Sequence, residues 1–258
     1  MLQNAKIIIT KPEDQAKLLA EKIQQIGGMP IIFPTIKIID IFDQDTLKNK
    51  LQKINSYDII IFISPTAVQK TLPLLKLSGT PFSKHISVMA VGSGTATLLN
   101  QFNIQDVIHP QENFGSEGLL ALPQLQQIKN KKILIIKGED GRELLSETLI
   151  NRGAITEELT TYKRVMPIID ATKLLVSWQT SSIALIICTS ESSLQNLINL
   201  LGTAAQPWLF QQLLLVSSPR LAQIASSLGF IKPPLLAKNA SDEALLSTLK
   251  FWRGQQHG

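Results

Sequence analysis

The stretch KPEDQAKLLAEKIQQIG at residues 11–27 recurs in altered form as KGEDGRELLSETLINRG at residues 137–153. Both copies carry Lys, Glu, Asp, a Leu-Leu pair, Glu and the final Gly at the same positions. The same spacing relates Thr35 to Thr161. Self-similarity at a fixed period predicts that the chain is an internal duplication.

Each half alternates short apolar runs with amphipathic segments, the pattern of a parallel sheet covered by helices on both faces. The predicted strands are 6–10, 31–33, 59–64, 87–91, 133–136, 183–188 and 213–216. The predicted helices are 15–26, 67–75 and 95–101, and three more that begin near residues 142, 192 and 220. The sequence therefore predicts an α/β fold of two similar flavodoxin-like or Rossmann-like domains.

Two segments, 33–40 and 159–169, interrupt this alternation and are the natural linkers, because each holds a strand-like stretch beside a proline. Two topologies are then open. The domains stand in tandem with a break near residue 127, or the chain crosses over early in each half, so that the first strand and helix of each half are exchanged.

The composition favours a soluble cytoplasmic protein. At 258 residues the chain is long enough for two domains with their own cores. No apolar run approaches the roughly 18 residues of a membrane span, and the first ten residues show no cleavable signal pattern. The single Cys188 excludes an intramolecular disulfide.

The charge pattern disfavours nucleic acid as a partner. The net charge of +5 is spread along the chain and only 5% of residues are aromatic, whereas nucleic-acid binders cluster basic residues and interleave aromatics. A small polyanionic ligand suits such a distributed excess equally well.

The predicted strand exits are rich in Gly and in small hydroxyl residues. In open α/β sheets ligands bind beyond the carboxyl ends of the strands, where helix N-termini favour anions. The residues predicted to bind an anionic ligand there are Thr10, Lys11, Ser64, Gly92, Ser93, Thr95, Lys137, Gly138, Arg142, Ser190, Ser218 and Arg220. Each strand exit has a structural alternative, because Ser and Thr are also preferred N-caps and Gly and Pro are ordinary turn residues.

Signatures of metal, nucleotide and triad chemistry are missing from the sequence. There is no Walker loop, no Gly-x-Ser-x-Gly elbow and no His-Glu-x-x-His. The three histidines are isolated, so we expect no metal site. The stretch GSG at 92–94 lacks the third glycine of a dinucleotide fingerprint, so we expect no nicotinamide cofactor.

Positions at which the two halves carry different residues break the symmetry of the duplication, and they are candidates for a function that only one half performs. Tyr162 stands opposite Ile36, and Arg164 stands opposite Ile38. Tyr162 lies on a predicted linker, from which a phenol can donate or relay a proton. The alternative is an aromatic side chain that only packs against the linker.

A set of ordered motifs runs almost from end to end of the chain. They are IIITKPEDQA at 7–16, FISPTAV at 62–68, AVGSGTA at 90–96, SEGLL at 116–120, GEDGRELL at 138–145, ELTTY at 158–162, SPR at 218–220 and GF at 229–230. This set resembles the uroporphyrinogen-III synthase family. The resemblance implies two similar α/β domains joined by a two-stranded linker, with exchanged first strand-helix pairs. The implied domains are 1–36 with 168–258, and 40–160.

The resemblance also implies a function. The substrate would be hydroxymethylbilane, a linear tetrapyrrole held by its carboxylates. It would be closed to uroporphyrinogen III, with loss of water and inversion of ring D, in haem biosynthesis. No cofactor is implied, and we expect a monomer without nucleic-acid or membrane partners. Tyr162 matches the family tyrosine that assists departure of the hydroxyl. The matched cleft positions are Thr10, Ser64, Gly92, Thr95, Ser190 and Ser218.

Two other classes of protein are alternatives to this expectation. A non-catalytic two-domain protein that closes over an anion would not need the asymmetric Tyr162. A nucleotide-sugar transferase would need a diphosphate site and an acidic partner for the ribose, and neither is visible in the sequence.

Overall fold

The structure is a computed structural model that describes residues 2–41, 49–79, 82–113, 115–139 and 143–255. The chain divides into two compact units. Unit 1 contains Met1–Lys37 and Val165–Gly258, and unit 2 contains Ile38–Arg164.

The described elements alternate strand and helix along much of the chain. The strands are β1 (Lys6–Ile9), β2 (Met29–Ile32), β3 (Lys37–Asp40), β4 (Ile59–Phe62), β5 (Ser87–Ala90), β6 (Lys132–Gly138), β7 (Ile155–Val165), β8 (Ile183–Cys188), β9 (Leu214–Val216) and β10 (Leu235–Leu236). The α-helices are α1 (Glu13–Gln25), α2 (Pro65–Leu77), α3 (Ser93–Gln101), α4 (Ser116–Leu120), α5 (Leu144–Asn151), α6 (Thr172–Thr180), α7 (Glu191–Leu201), α8 (Gln206–Leu209), α9 (Pro219–Ser227) and α10 (Asp242–Gln255). Among the described residues no helix is long and apolar enough to cross a membrane.

Each unit is built on one sheet. The sheet of unit 1 has the order β10-β9-β8-β1-β2, and its neighbouring strands run parallel. The sheet of unit 2 has the order β3-β7-β6-β4-β5, in which β7, β6, β4 and β5 run parallel. The tandem arrangement with a break near residue 127 is wrong, because β1 pairs with β8 and β6 pairs with β4.

Both faces of each sheet are buried, as parallel sheets require. Successive side chains of a strand point to opposite faces. In β1, Ile8 lies in one apolar cluster, whereas Ile7 and Ile9 lie in another. In β4, Ile60 and Ile61 divide between two clusters in the same way. The predicted α/β class with helices on both sheet faces is therefore confirmed, whereas the internal duplication stays a prediction.

Some elements differ from the sequence patterns. The stretch 159–169, predicted as a linker, begins within β7, an 11-residue strand on which Tyr162 lies. Helices α4, α6, α8 and α10 were not predicted. Helix α10 carries its buried residues Leu245, Leu249 and Trp252 at intervals of three and four, so the sequence does contain the signal of its apolar face.

Candidate functional site

A pocket of about 390 Å³ lies in unit 2, beyond the carboxyl ends of β4 and β5 and beside β6 and β7. Four residues predicted as site residues line it: Ser64, Lys137, Gly138 and Tyr162. Its place in the fold is the one expected for a ligand site in a parallel α/β sheet, where the strands end and helices begin.

The backbone of β6 and β7 fixes Tyr162 in the wall of this pocket. Gly138 of β6 is the register partner of Tyr162 in β7, and the Glu139 N–H donates to the Tyr162 carbonyl at 2.8 Å. The phenol ring lies so close to Gly138 that a Cβ there would stand 2.6 Å from Tyr162 Cζ. Gly138 therefore provides the space that the buried phenol occupies.

The Tyr162 hydroxyl forms a pair with Ser64, the N-cap of α2. The two oxygens are 2.8 Å apart, and Ser64 Oγ also accepts from the Ala67 N–H at 3.1 Å. Only 3% of Tyr162 and 9% of Ser64 is exposed. The two hydroxyls carry two protons, and their mutual hydrogen bond uses one of them. The other proton is left to donate to a ligand in the pocket.

A cation stands beside the same phenol. Arg164 lies two residues beyond Tyr162 on β7, and residues i and i+2 of a strand share a face. Its Nη2 donates to Tyr162 Oη at 3.3 Å, and its guanidinium carbon lies 5.6 Å from the centre of the ring. Arg164 is exposed and lines the pocket. Within the described ranges it makes no ion pair.

Carboxylates also reach the pocket. The Lys137 amino group, almost wholly buried, donates to Glu158 Oε2 at 2.9 Å. Glu117 and Glu139 lie in the same wall. Because Lys137 already has a carboxylate partner, its predicted contact with an anionic ligand would require the amino group to be shared. That binding role stays a prediction.

The predicted residues at the end of β1 have partners inside unit 1. Thr10 is fully buried, and its hydroxyl donates to the Ile187 carbonyl at 2.8 Å. The Lys11 amino group donates to Asp242 Oδ1 at 2.9 Å and to the Ala240 carbonyl at 3.1 Å. These contacts account for both side chains without a ligand, and a substrate contact stays a prediction.

We expect unit 1 to lose stability in acid through Asp242. Burial alone would raise its pKa, but the charges and hydrogen bonds of Lys11 and Lys22 outweigh burial and hold the pKa below its ordinary value. A lowered folded-state pKa contributes stability above the ordinary value near 4, and that contribution is lost as the pH falls through the lowered one.

Urea unfolding followed between about pH 5 and pH 2, the window set by the ordinary carboxyl pKa, checks this expectation. The free energy of unfolding should fall with pH more steeply in the unaltered chain than in Asp242→Asn. Asp14→Asn is the control, because Asp14 is exposed on α1 and makes no ion pair within the described residues. Equal slopes for the unaltered chain and Asp242→Asn would contradict the account.

The remaining predicted residues lie at the N-termini of helices. Ser190 and Ser218 are the N-caps of α7 and α9, where their hydroxyls accept from the Ser193 and Leu221 N–H groups. Gly92 is the N-cap of α3, Ser93 is exposed and Thr95 is buried in its first turn. Arg220 is exposed and contacts Glu191 at 3.2 Å. The predicted Arg142 lies outside the described residues.

Two of these caps give a stability prediction. Ser190→Ala and Ser218→Ala should each lower the free energy of unfolding by about 0.5 to 2 kcal/mol, because a helix N–H loses its acceptor. Ser226→Ala is the control, since Ser226 lies inside α9 and its hydroxyl only bonds back to the Ala222 carbonyl. Urea unfolding measures all three variants. If the two cap variants were as stable as the control, the capping assignment would be wrong.

The free thiol and the side chains of metal-ligand type add no further chemistry among the described residues. Cys188 is fully buried, and burial raises the pKa of its thiol to about 12 despite the hydrogen bond from Thr10. A thiol that stays protonated at neutral pH is a poor nucleophile. Over the part of the chain that the structure describes, no three His, Cys, Asp or Glu side chains form a group suited to a metal ion.

Comparison with known families decides the identity. The family model described as uroporphyrinogen-III synthase HemD matches residues 17–247. The chain belongs to the uroporphyrinogen-III synthase family. It is therefore an enzyme of tetrapyrrole biosynthesis, as the resemblance predicted.

Curated members of the uroporphyrinogen-III synthase family match nearly the whole chain. The protein of Salmonella typhimurium is 32% identical over 245 residues, which are 95% of this chain and 99% of that protein. The Escherichia coli K12 protein is 31% identical over the same shares. Both carry the name uroporphyrinogen-III synthase.

Solved structures confirm the fold. A crystal structure of a mutant uroporphyrinogen III synthase from the extremely thermophilic bacterium Thermus thermophilus superposes with a TM-score of 0.64 at 14% identity, and covers 98% of this chain and all of that one. The Helicobacter pylori structure gives 0.61 at 15% identity and covers 96% and 99%. At such low sequence identities, the structural similarity establishes only that this chain has the fold of these solved structures.

Sequence reasoning missed part of the pocket wall of this uroporphyrinogen-III synthase family member. Glu139 has Glu13 at its equivalent position, so the comparison of halves could not single it out. Arg164 did show a signal, because Ile38 stands opposite it. Nothing in the sequence indicated that its guanidinium contacts the phenol of Tyr162.

Proposed function

We propose that this chain closes hydroxymethylbilane to uroporphyrinogen III, and that the pocket of unit 2 is where the substrate loses water. The observation that carries the proposal is the buried Tyr162 hydroxyl, 2.8 Å from Ser64 in the wall of that pocket. The names of the curated relatives, which match over 95% of the chain, support the same reaction.

Tyr162 donates the proton in the first step. As the C–O bond of the hydroxymethyl group breaks, the leaving oxygen takes the phenol proton and departs as water. The electrons of the adjacent pyrrole stabilise the resulting azafulvene. Ser64 turns its own proton towards the phenolate oxygen, so the charge that develops there meets a hydrogen-bond donor already in place.

Ring closure returns the proton. The substituted α-carbon of ring D attacks the azafulvene carbon, and the new C–C bond gives a spiro-pyrrolenine. The older bond from that α-carbon to the carbon bridging rings C and D then breaks, which leaves ring D inverted and a second azafulvene on ring C. The free α-carbon of ring D attacks this second azafulvene carbon. The final closure releases a proton from carbon, which restores the phenol of Tyr162. The net change is hydroxymethylbilane to uroporphyrinogen III plus water. Catalysis rests on positioning and electrostatic stabilisation.

We further propose that the other predicted residues hold the carboxylates of the substrate. They are Thr10, Lys11, Gly92, Ser93, Thr95, Lys137, Gly138, Arg142, Ser190, Ser218 and Arg220. We also propose that the enzyme is a cytoplasmic monomer, and that its domains are 1–36 with 168–258, and 40–160. Light scattering of the purified chain, which measures its molar mass in solution, tests whether it is a monomer.

The function is tested by separating product isomers. Purified protein is mixed with fresh hydroxymethylbilane, and the oxidised products are resolved into the type I and type III porphyrins. Closure without inversion gives type I, so we expect type III in proportion to added protein. A protein that only binds the tetrapyrrole would slow or leave unchanged the formation of type I and would give no type III.

Chelation supplies a separate prediction. The isolated histidines of the sequence led us to expect a reaction without metal, so the rate of type III formation should be unchanged after dialysis against EDTA. Protein carried through the same dialysis without chelator is the control. A loss of rate that zinc or magnesium restores would overturn the expectation.

A further inference from the structure

The contact between Arg164 and the phenol of Tyr162 gives Arg164 a part in the reaction. We propose that Arg164 is a positioning residue, which holds the phenol oxygen of Tyr162 as an acceptor so that its proton faces the departing hydroxyl. The inference deepens the proposed function and rests on it.

The hydrogen-bonding capacity of the two side chains fixes which of them donates and which accepts. A guanidinium can only donate, so at the 3.3 Å contact the Tyr162 oxygen must accept. When Ser64 also donates to that oxygen at 2.8 Å, both acceptor positions of the phenol are filled. The phenol proton then points away from both partners. Arg164 thus favours the arrangement in which Tyr162, rather than Ser64, offers its proton.

The shared strand makes the arrangement stable. Tyr162 and Arg164 lie on one face of β7, and the guanidinium carbon stands 5.6 Å from the ring centre, within the range of a cation–π contact. The ring also packs closely against Gly138. A small displacement of the guanidinium therefore does not release the phenol.

The positive charge of Arg164 also favours the transfer of the proton from Tyr162. As the proton leaves, negative charge grows on the phenol oxygen, and a neighbouring cation stabilises that change more than it stabilises the neutral phenol. Among the described residues that line the pocket, Lys137 is a second basic side chain, and it is paired with Glu158. Arg164 makes no ion pair among the residues that the structure describes, so its charge is not held in a direct pair with a described carboxylate.

Steady-state kinetics of Arg164→Met and Arg164→Lys test the proposal. Arg164→Met should lower kcat by about 3- to 30-fold, the scale of one exposed charge-assisted hydrogen bond, with KM changed by less than about twofold. Arg164→Lys should recover part of kcat, because an ammonium still donates. Lys163→Met is the matched control, since Lys163 is the next residue of β7, points to the opposite face and does not line the pocket.

A double variant separates positioning from substrate binding. In Tyr162→Phe, adding Arg164→Met should change kcat by less than about twofold, because the group on which Arg164 acts is already gone. If the effects of the two substitutions multiply, or if Arg164→Met raises KM and leaves kcat unchanged, Arg164 binds a substrate carboxylate and the proposal is wrong.

A measurement that does not depend on turnover distinguishes a failure of this inference from a failure of the proposed function. The chain has two tyrosines, so ring-labelled protein gives two ¹³Cζ signals, and Tyr162→Phe identifies the one from Tyr162. Arg164→Met should shift that signal, and Lys163→Met should not. An unshifted signal overturns the proposal even if type III product forms. A shifted signal in a protein that forms no type III would instead place the failure in the proposed function. If Arg164→Met does not fold, Arg164→Gln replaces it in each experiment.

Discussion

Tyr162→Phe should lower kcat by about 10- to 1000-fold, within or somewhat below the range usual for a positioned proton donor, while KM for hydroxymethylbilane changes little. The substitution removes one oxygen and keeps the ring that packs on Gly138. The leaving hydroxyl then has to depart without the phenol proton. Ser64 and Arg164 stay in the pocket but lose the oxygen that they contact.

The other tyrosine supplies a matched control for that loss. Tyr57 is equally buried in unit 2, does not line the pocket and donates to Glu157 Oε2 at 2.9 Å. Burial and the neighbouring Glu157 raise the pKa of Tyr57 above its ordinary value, so it stays a neutral donor. Tyr57→Phe should keep kcat and lower only stability. Near-normal turnover in folded Tyr162→Phe would contradict the proton-donor role.

Gly138→Ala should lower both stability and activity. The new Cβ would stand 2.6 Å from Tyr162 Cζ and 2.7 Å from Tyr162 Cε2, so the ring has to move. Overpacking of this kind costs about 1 to 3 kcal/mol. A phenol displaced by about 1 Å also loses its alignment with the substrate, so we expect kcat to fall by about 100-fold. Urea unfolding and the isomer assay measure the two effects.

Two further variants test whether the contact between the new Cβ and the Tyr162 ring causes the loss of stability and activity in Gly138→Ala. Gly254→Ala places a Cβ where nothing lies within 4 Å, so it should leave the rate unchanged and should not lower stability, because alanine favours the helix α10 more than glycine does. In a Tyr162→Ala background, Gly138→Ala should cost little stability, because the ring that it strikes is absent. If Gly138→Ala were as active as the unaltered chain, the close packing described for Tyr162 would be wrong.

Much of the fold could be predicted from local pattern. The isoleucine-rich runs of β1 and β4 indicated buried parallel strands, because both sheet faces need apolar side chains. The exchange of strands could not be derived from the residues alone. It depends on pairing between β1 and β8, which are far apart in the sequence, and the apolar pattern fits either neighbour equally well.

The site was predicted residue by residue but not as an arrangement. Tyr162 and Ser64 were each singled out, yet their contact joins the exit of β4 to a residue within β7, 98 positions further along the chain. For Ser190 and Ser218 the residue type did not decide the role, because a helix cap and an anion site both use small hydroxyl residues. The partner of Lys11, Asp242, is 231 positions away, and no local rule could identify it.

The central claim is that this chain, through Tyr162, directs hydroxymethylbilane to the inverted isomer. The most direct measurement is a single turnover, with protein in excess over hydroxymethylbilane and the type I and type III porphyrins separated afterwards. We predict almost only type III with the unaltered chain, and a large return to type I with Tyr162→Phe at the same concentration and time. Type I as the main product of the unaltered, folded chain would contradict the account.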